Sequence, residues 1–207
     1  MLTATDIPGV PPGDKADGSN YLALLSEVRK LLPAGKTLSI AAPASFWYLK
    51  GFPIDRMEPL LDYIVYMTYD LHGQWDSGNP HSAPGCPAGN CLRSHVNWTE
   101  TENALAMITK AGVPTSKILL GVSSYGRSFK MAEKGCTGPM CTYLGDKDSP
   151  AKKGPCTNTS GYISNAEIKD IIQTNKNVDS WYDKDTRSNY LVYDGKTTSH
   201  VASPPRV

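Results

Sequence analysis

Residues 63–76 read Y-I-V-Y-M-T-Y-D-L-H-G-Q-W-D, and the rest of the chain is arranged around them. The first six, Tyr63 to Thr68, are apolar on both faces, which suits a strand covered on both sides, as in a parallel sheet with helices outside. The run then turns polar and aromatic at Tyr69, Asp70, His72, Gln74, Trp75 and Asp76. A buried strand that ends in a carboxylate and a cluster of flat side chains is the pattern of a site at the carboxyl end of a parallel strand.

The neighbouring sequence supplies the rest of such a sheet. Working backward, residues 37–43 (T-L-S-I-A-A-P) form a second short buried strand, followed at once by Phe46-Trp47-Tyr48. Before it, Ser19 is placed to cap a helix carrying Tyr21, Leu24, Leu25, Val28, Leu31 and Leu32 at helical spacing, stopped by Pro33 and Gly35. Pro53 opens a short helix between the two strands. Working forward, a Gly/Pro loop runs to about residue 97, Thr99–Glu102 reads as a capping box, and the helix it opens ends at Gly112. Residues 117–123 (K-I-L-L-G-V-S) read as a third buried strand, with Tyr125, Gly126, Arg127 and Phe129 at its end. Helix, strand, helix, strand, helix, strand is a series of βα units and a parallel sheet. Three strands do not close a barrel, so the best reading is an incomplete (β/α)8 barrel.

The texture changes after Gly126. Residues 130–163 are rich in Gly, Pro, Cys and Thr. Ser164 and Glu167 form a second capping box, and residues 179–182 and 189–193 read as antiparallel strands joined by a polar turn. The expected organisation is a loop at 1–18, a partial barrel at 19–126, a small α+β module at 127–200 and a polar tail at 201–207.

Composition bounds the partners. A net charge of +1 gives no electrostatic case for nucleic acid or an anionic membrane. No apolar run approaches the ~20 residues of a membrane span, and residues 1–18 lack the apolar core of a signal peptide. The cysteines nevertheless point to an oxidising compartment. Cys86 and Cys91 close a Pro/Gly loop, and Cys136, Cys141 and Cys156 share a second loop-rich segment with little core of its own. Five is odd, so one cysteine lacks a partner within the chain. Zinc fits the C-x4-C spacings poorly, and His72 and His81 read as solvated loop histidines rather than metal ligands. No cofactor is expected. Two sequons, at Asn97 and Asn158, fit a glycosylated secreted protein.

These segments resemble glycoside hydrolase family 18 chitinases, and most closely the killer-toxin-like fungal ones. The resemblance is carried by N-Y-L-A-L-L-S-E-V-R (20–29), Y-M-T-Y-D-L-H-G-Q-W-D (66–76), G-C-P-A-G-N-C-L-R-S-H-V-N (85–97), G-V-S-S-Y-G-R-S-F (121–129) and G-C-T-G-P-M-C (135–141). It implies that the three strands are the fifth, sixth and seventh of the barrel, and that the α+β module is the insertion that follows the seventh. It implies hydrolysis of β-1,4-linked N-acetylglucosamine polymers with retention: a glutamic acid protonates the glycosidic oxygen and the substrate's own acetamido carbonyl attacks the anomeric carbon. Chitin or chito-oligosaccharides would be the ligand, and a secreted monomer the expected form.

The family's acid lies in a D-x-x-D-x-D-x-E motif that this sequence does not contain. At the aligned place the chain reads A-T-D-I-P-G (4–9), with Asp6 where the glutamic acid is expected, so the chain as written is expected to be inactive. The family's first three strands and its eighth, with a floor tryptophan, are also missing, as in a fragment. The resemblance gives substrate-binding roles to Met67, Tyr69, Asp70, Trp75, Tyr125 and Arg127. Trp47, like Trp75, is a flat ring on which a pyranose face could stack. Plainer alternatives are Asp70 as a loop-capping carboxylate, Met67 as packing, Arg127 as the ion-pair partner of an aspartate, and Trp75 and Trp47 as packing under loops. The functional alternatives to a hydrolase are a chitin-binding lectin and a non-functional piece.

Overall fold

The computed structural model describes residues 13–193 and 200–203. They fall into two compact units, one built from the chain up to residue 68 together with 100–121, the other from 69–99 together with the chain from 122 onward.

In the first unit, strands β1 (Ser39–Pro43), β2 (Tyr63–Met67) and β3 (Ile118–Leu120) lie parallel in that order. Ile40, Ile64 and Ile118 are in register, as are Ala42, Tyr66 and Leu120. Helices α1 (Asp17–Leu31), α2 (Phe46–Leu49), α3 (Ile54–Met57) and α4 (Trp98–Lys110, in this unit from residue 100) accompany the strands. Ile40, Ala42, Ile64 and Tyr66 are buried, and so are Leu25, Met57, Leu61, Ala104 and Ile108. The Tyr66 hydroxyl donates to the carbonyl oxygens of Ala104 (2.9 Å) and Ala44 (3.3 Å), so this buried phenol keeps a partner.

The strands are covered on one face only, not both. Ala41, Val65 and Leu119 are in register on the other face; Ala41 is exposed, and Leu119 is 50% exposed. The expected third strand is also shorter than 117–123, and Leu120 is exposed because β3 is an edge within the described residues. Ser19 is not the helix cap. Helix α1 begins at Asp17, where the amides of Asp14 and Ala16 donate to the carboxylates of Asp17 (2.8 Å) and Asp14 (3.0 Å), and Ser19 bonds back to the Ala16 carbonyl. Likewise α4 starts at Trp98, so Thr99 lies inside its first turn rather than capping it. The two helix starts lie three and two residues before the expected positions, at or just past the usual slack at helix ends.

The second unit is an antiparallel sheet of β4 (Tyr125–Lys130), β5 (Tyr162–Ser164), β6 (Asp179–Asp183), β7 (Ser188–Tyr193) and β8 (His200–Ser203), in the order β5-β4-β8-β7-β6. The β6–β7 hairpin lies where the sequence placed it. Tyr125 and Arg127, however, are in a strand and not in a loop after one. Residues 200–203, read as tail or its border, pair on both sides with β4 and β7. So short a segment carries no pattern of its own and draws its strand conformation from two longer neighbours.

Strand β7 is buried on both faces. Tyr190 and Val192 pack with Leu92, Phe129, Met131 and Tyr143. Leu191 and Tyr193 pack with Ile163 and with Ile168 of α5 (Asn165–Thr174). The disulfides Cys86–Cys91 and Cys136–Cys141 close two loops that hydrogen-bond to each other, Leu92 N–H to the Cys141 carbonyl at 2.8 Å and Met140 N–H to the Leu92 carbonyl at 3.0 Å. Cys156 is the exposed free thiol.

Helix α5 has the expected capping box: Ser164 Oγ accepts from Glu167 N–H, and a Glu167 oxygen accepts from Ser164 N–H. The same carboxylate does more. Its second oxygen accepts from the amides of Cys156 (2.7 Å) and Thr157 (2.9 Å), pinning a loop 10 residues away in sequence. Burial alone would raise the Glu167 pKa, but the amides of Thr157 and Ser164, the Ser164 hydroxyl and the Cys156 amide outweigh it and push it down to about 2. The folded value lies below the ordinary 4.5, so the stabilisation is complete above that pH and is lost as pH falls toward 2. Glu167→Gln is expected to cost about 1–3 kcal/mol at neutral pH in urea unfolding and to shrink the fall in stability between neutral pH and pH ~2.

Candidate functional site

Within the second unit, residues 69–76, His95, Tyr125, Arg127 and Tyr162 converge on the Asp70 carboxylate. Asp70 has φ 56°, in the left-handed region that aspartate enters more readily than most residues. His95 holds it there. The Asp70 amide donates to His95 Nδ1 at 3.2 Å, and the next amide, Leu71, donates to the His95 carbonyl at 3.1 Å. Nδ1 is also 3.4 Å from Asp70 Oδ1. With the ring neutral it accepts from the amide, which has no other role than donor, and the ring proton sits on Nε2. His95 is fully buried, and its Nε2 has no partner among the described residues.

Tyr125 and Arg127 are two apart on β4 and therefore share a face. Arg127 meets Asp70 with two prongs, Nε to Oδ1 at 2.8 Å and Nη2 to Oδ2 at 2.7 Å, the geometry in which an arginine binds a carboxylate most strongly. Its guanidinium lies 4.8 Å from the Trp75 ring, 5.4 Å from Tyr125 and 5.9 Å from Tyr162, so aromatic faces surround the cation. The Tyr125 hydroxyl also hydrogen-bonds Asp70. Its ring stacks on His95 (5.4 Å, 22°), contacts Tyr162 (4.6 Å) and meets Tyr69 edge-on (6.2 Å, 80°).

These contacts fix the charge state. Burial alone would raise the Asp70 pKa, yet the Arg127 hydrogen bonds and charge and the Tyr125 hydroxyl hold it well below the usual carboxylate range. Burial and the Asp70 charge push the Tyr125 phenol up, so it stays an O–H donor. The chemistry on offer is a fixed negative charge, a tyrosine hydroxyl and a guanidinium set among flat rings. Such a group orients or stabilises a polar ligand. It does not exchange protons near neutral pH.

Tyr69, Asp70, Trp75, Tyr125 and Arg127 are thus brought together, and the plainer alternative for Arg127, pairing with an aspartate, is realised with Asp70 itself. Trp75 is half-buried, and Gly73 is required beside it because a Cβ there would run into the indole. Met67 ends β2 in the first unit; the exposed Trp47 lies in α2 of that unit, under the Lys50 ammonium at 3.5 Å and not beneath a loop. Asp6 lies outside the described residues. His72 is not solvated: it is buried, with Nδ1 2.7 Å from Asp76. His95 and Tyr162 were not singled out in the sequence. Their only signals are in L-R-S-H-V-N and in the apolar start of the capping box, both far from Asp70 along the chain.

A parallel βα sheet and an antiparallel α+β unit with this constellation place the chain among the α/β folds of solved chitinases. The profile of "Glycosyl hydrolases family 18" matches residues 6–201. The chain is 54% identical over 205 residues to "Secreted chitinase LysM12" of Penicillium expansum, covering 98% of this chain and 14% of that one. It is 42% identical over 194 residues to "Killer toxin subunits alpha/beta" of Kluyveromyces lactis, covering 94% and 16%. It superposes on the Ostrinia furnacalis Group IV chitinase solved in complex with allosamidin with a TM-score of 0.75 at 26% identity, covering 97% of this chain and 52% of that one. The chain belongs to glycosyl hydrolase family 18. It spans under a fifth of these two sequence relatives and about half of the solved chitinase.

If Asp70 and Arg127 act as one unit, their removal will not be additive. Asp70→Ala and Arg127→Ala are each expected to lower stability by about 1–3 kcal/mol, and the double variant by less than the sum, read in a urea double-mutant cycle. His95→Ala is expected to loosen the Asp70 turn, while His95→Asn, which keeps an acceptor near Nδ1, retains most of it. Amide exchange at Asp70 and Leu71 reports the difference.

Proposed function

We propose that this chain is part of a chitinase-type glycoside hydrolase acting on β-1,4-linked N-acetylglucosamine polymers by substrate-assisted, retaining hydrolysis. The supporting observation is the state of Asp70: an ionised carboxylate clamped by Arg127, with the Tyr125 hydroxyl on it. In this reading the acetamido carbonyl attacks the anomeric carbon and positive charge develops on the ring it forms. Asp70 orients the acetamido N–H and opposes that charge, and Tyr69 donates its hydroxyl to the acetamido oxygen. Tyr125 and Arg127 line the sugar site, and Trp75 offers a flat face to a pyranose ring; the family motif also gives Met67 a substrate-binding role.

The proton donor is a separate group. Asp70 is unsuited to that role because it does not hold a proton at working pH, and the D-x-x-D-x-D-x-E motif is absent from the sequence. We therefore assign the 207 residues the ligand-orienting side of the site, in the fifth to seventh strands of a barrel with its α+β insertion, and no hydrolysis by themselves. The reading includes secretion, in keeping with the two disulfides and with the secreted relative. A second reading, a chitin-binding lectin, is favoured by the same retained ligand groups without the acid.

The purified chain is expected to give no turnover of a chromogenic chito-oligosaccharide; release above the blank contradicts this. It is expected to bind chitopentaose in calorimetry, and Trp75→Ala to weaken that binding about tenfold, or ~1.4 kcal/mol. No binding by a folded chain would remove both the hydrolase-part and lectin readings.

A further inference from the structure

The two sequons have the same short signature in sequence and opposite settings in the fold. We propose that Asn158 carries an N-linked glycan and that Asn97 does not. The chemistry is transfer of an oligosaccharide from a lipid pyrophosphate donor. The Asn158 Nδ2 nitrogen attacks the anomeric carbon, the bond from that carbon to the pyrophosphate oxygen breaks, lipid pyrophosphate leaves with the electron pair, and the amide gives up one proton to the transferase. The chemistry needs an accessible carboxamide and a local backbone that a large hydrophilic substituent does not disturb.

Asn158 meets both needs. It is exposed, as is Thr159, and its φ of 46° is a conformation asparagine tolerates. The turn is held from its inner side, not by the asparagine side chain. Glu167 accepts the amides of Cys156 and Thr157, Asn158 N–H donates to the Gly154 carbonyl at 3.0 Å, and the Thr159 hydroxyl donates to the Thr157 carbonyl at 2.9 Å. A substituent on Asn158 Nδ2 breaks none of these bonds.

Asn97 meets neither. It is 7% exposed, next to the fully buried Ser94 and His95. Trp98, the first residue of α4, donates its amide to the Thr186 carbonyl at 3.0 Å, and its ring lies 5.3 Å from the Arg187 guanidinium. A glycan on Asn97 would pull out the segment that carries His95 and with it the acceptor of the Asp70 amide. The two disulfides place the chain in the oxidising compartment where such transfer occurs. The inference rests on that passage and not on any action on chitin.

The test is the whole chain, secreted from yeast behind a cleavable leader, with glycopeptides read by mass spectrometry on the fraction in which both disulfides have formed. One occupied site, Asn158, is expected. Ser160→Ala should abolish the mass removed by peptide N-glycosidase, and Thr99→Ala should leave it unchanged. Full-length disulfide-bonded chain without glycan, or with glycan on Asn97, would overturn the proposal.

Discussion

The site depends on one constraint: a carboxylate largely withdrawn from water must be compensated or lose its charge. Asp70 stays charged because Arg127 reaches both of its oxygens and Tyr125 adds a hydroxyl. Neither partner is near it in sequence. Arg127 is 57 residues away on β4, and the backbone turn that aims Asp70 is held by His95, 25 residues away. The aromatic rings then have a reason to be where they are. Trp75, Tyr125 and Tyr162 surround the guanidinium, keep it partly dry, and so strengthen its hold on the carboxylate.

The second unit uses the same device twice. Around Asp70 a charged acceptor gathers a strand, a loop histidine and a strand-end segment. Around Glu167 another gathers the start of α5 and the 156–158 turn. Loops this rich in Gly and Pro have few apolar side chains to bury, so hydrogen bonds to carboxylates and two short disulfides take the place of a core. Strand β7 adds apolar clusters on both of its faces, and the first unit buries Ile40, Ile64 and Ile108. The other face of that unit's three strands, with Ala41 and Leu119, is uncovered within the described residues.

Much of this was legible in sequence, and what was missed has a common cause. The three parallel strands showed in their apolar runs, the α5 capping box in Ser164 and Glu167, and the β6–β7 hairpin in a polar turn between two strand-like segments. All are local patterns. Sequence leaves the role of Arg127 between sugar ligand and ion-pair partner because it does not say which aspartate the guanidinium meets. His95 and β8 were missed because each is defined by what it pairs with at long range. The expected burial of both strand faces failed at Leu119, because burial belongs to the assembled sheet and not to the strand.

The most direct measurement of the central claim is the ionisation of Asp70 itself, followed by carbon-detected NMR of its carboxyl in the folded chain across the acid range. The account predicts that the Asp70 carboxyl shows no titration step down to about pH 3, with its signal that of a carboxylate throughout. A step near the ordinary aspartate value of about 3.9, or above it, would mean that Arg127 and Tyr125 do not hold the charge.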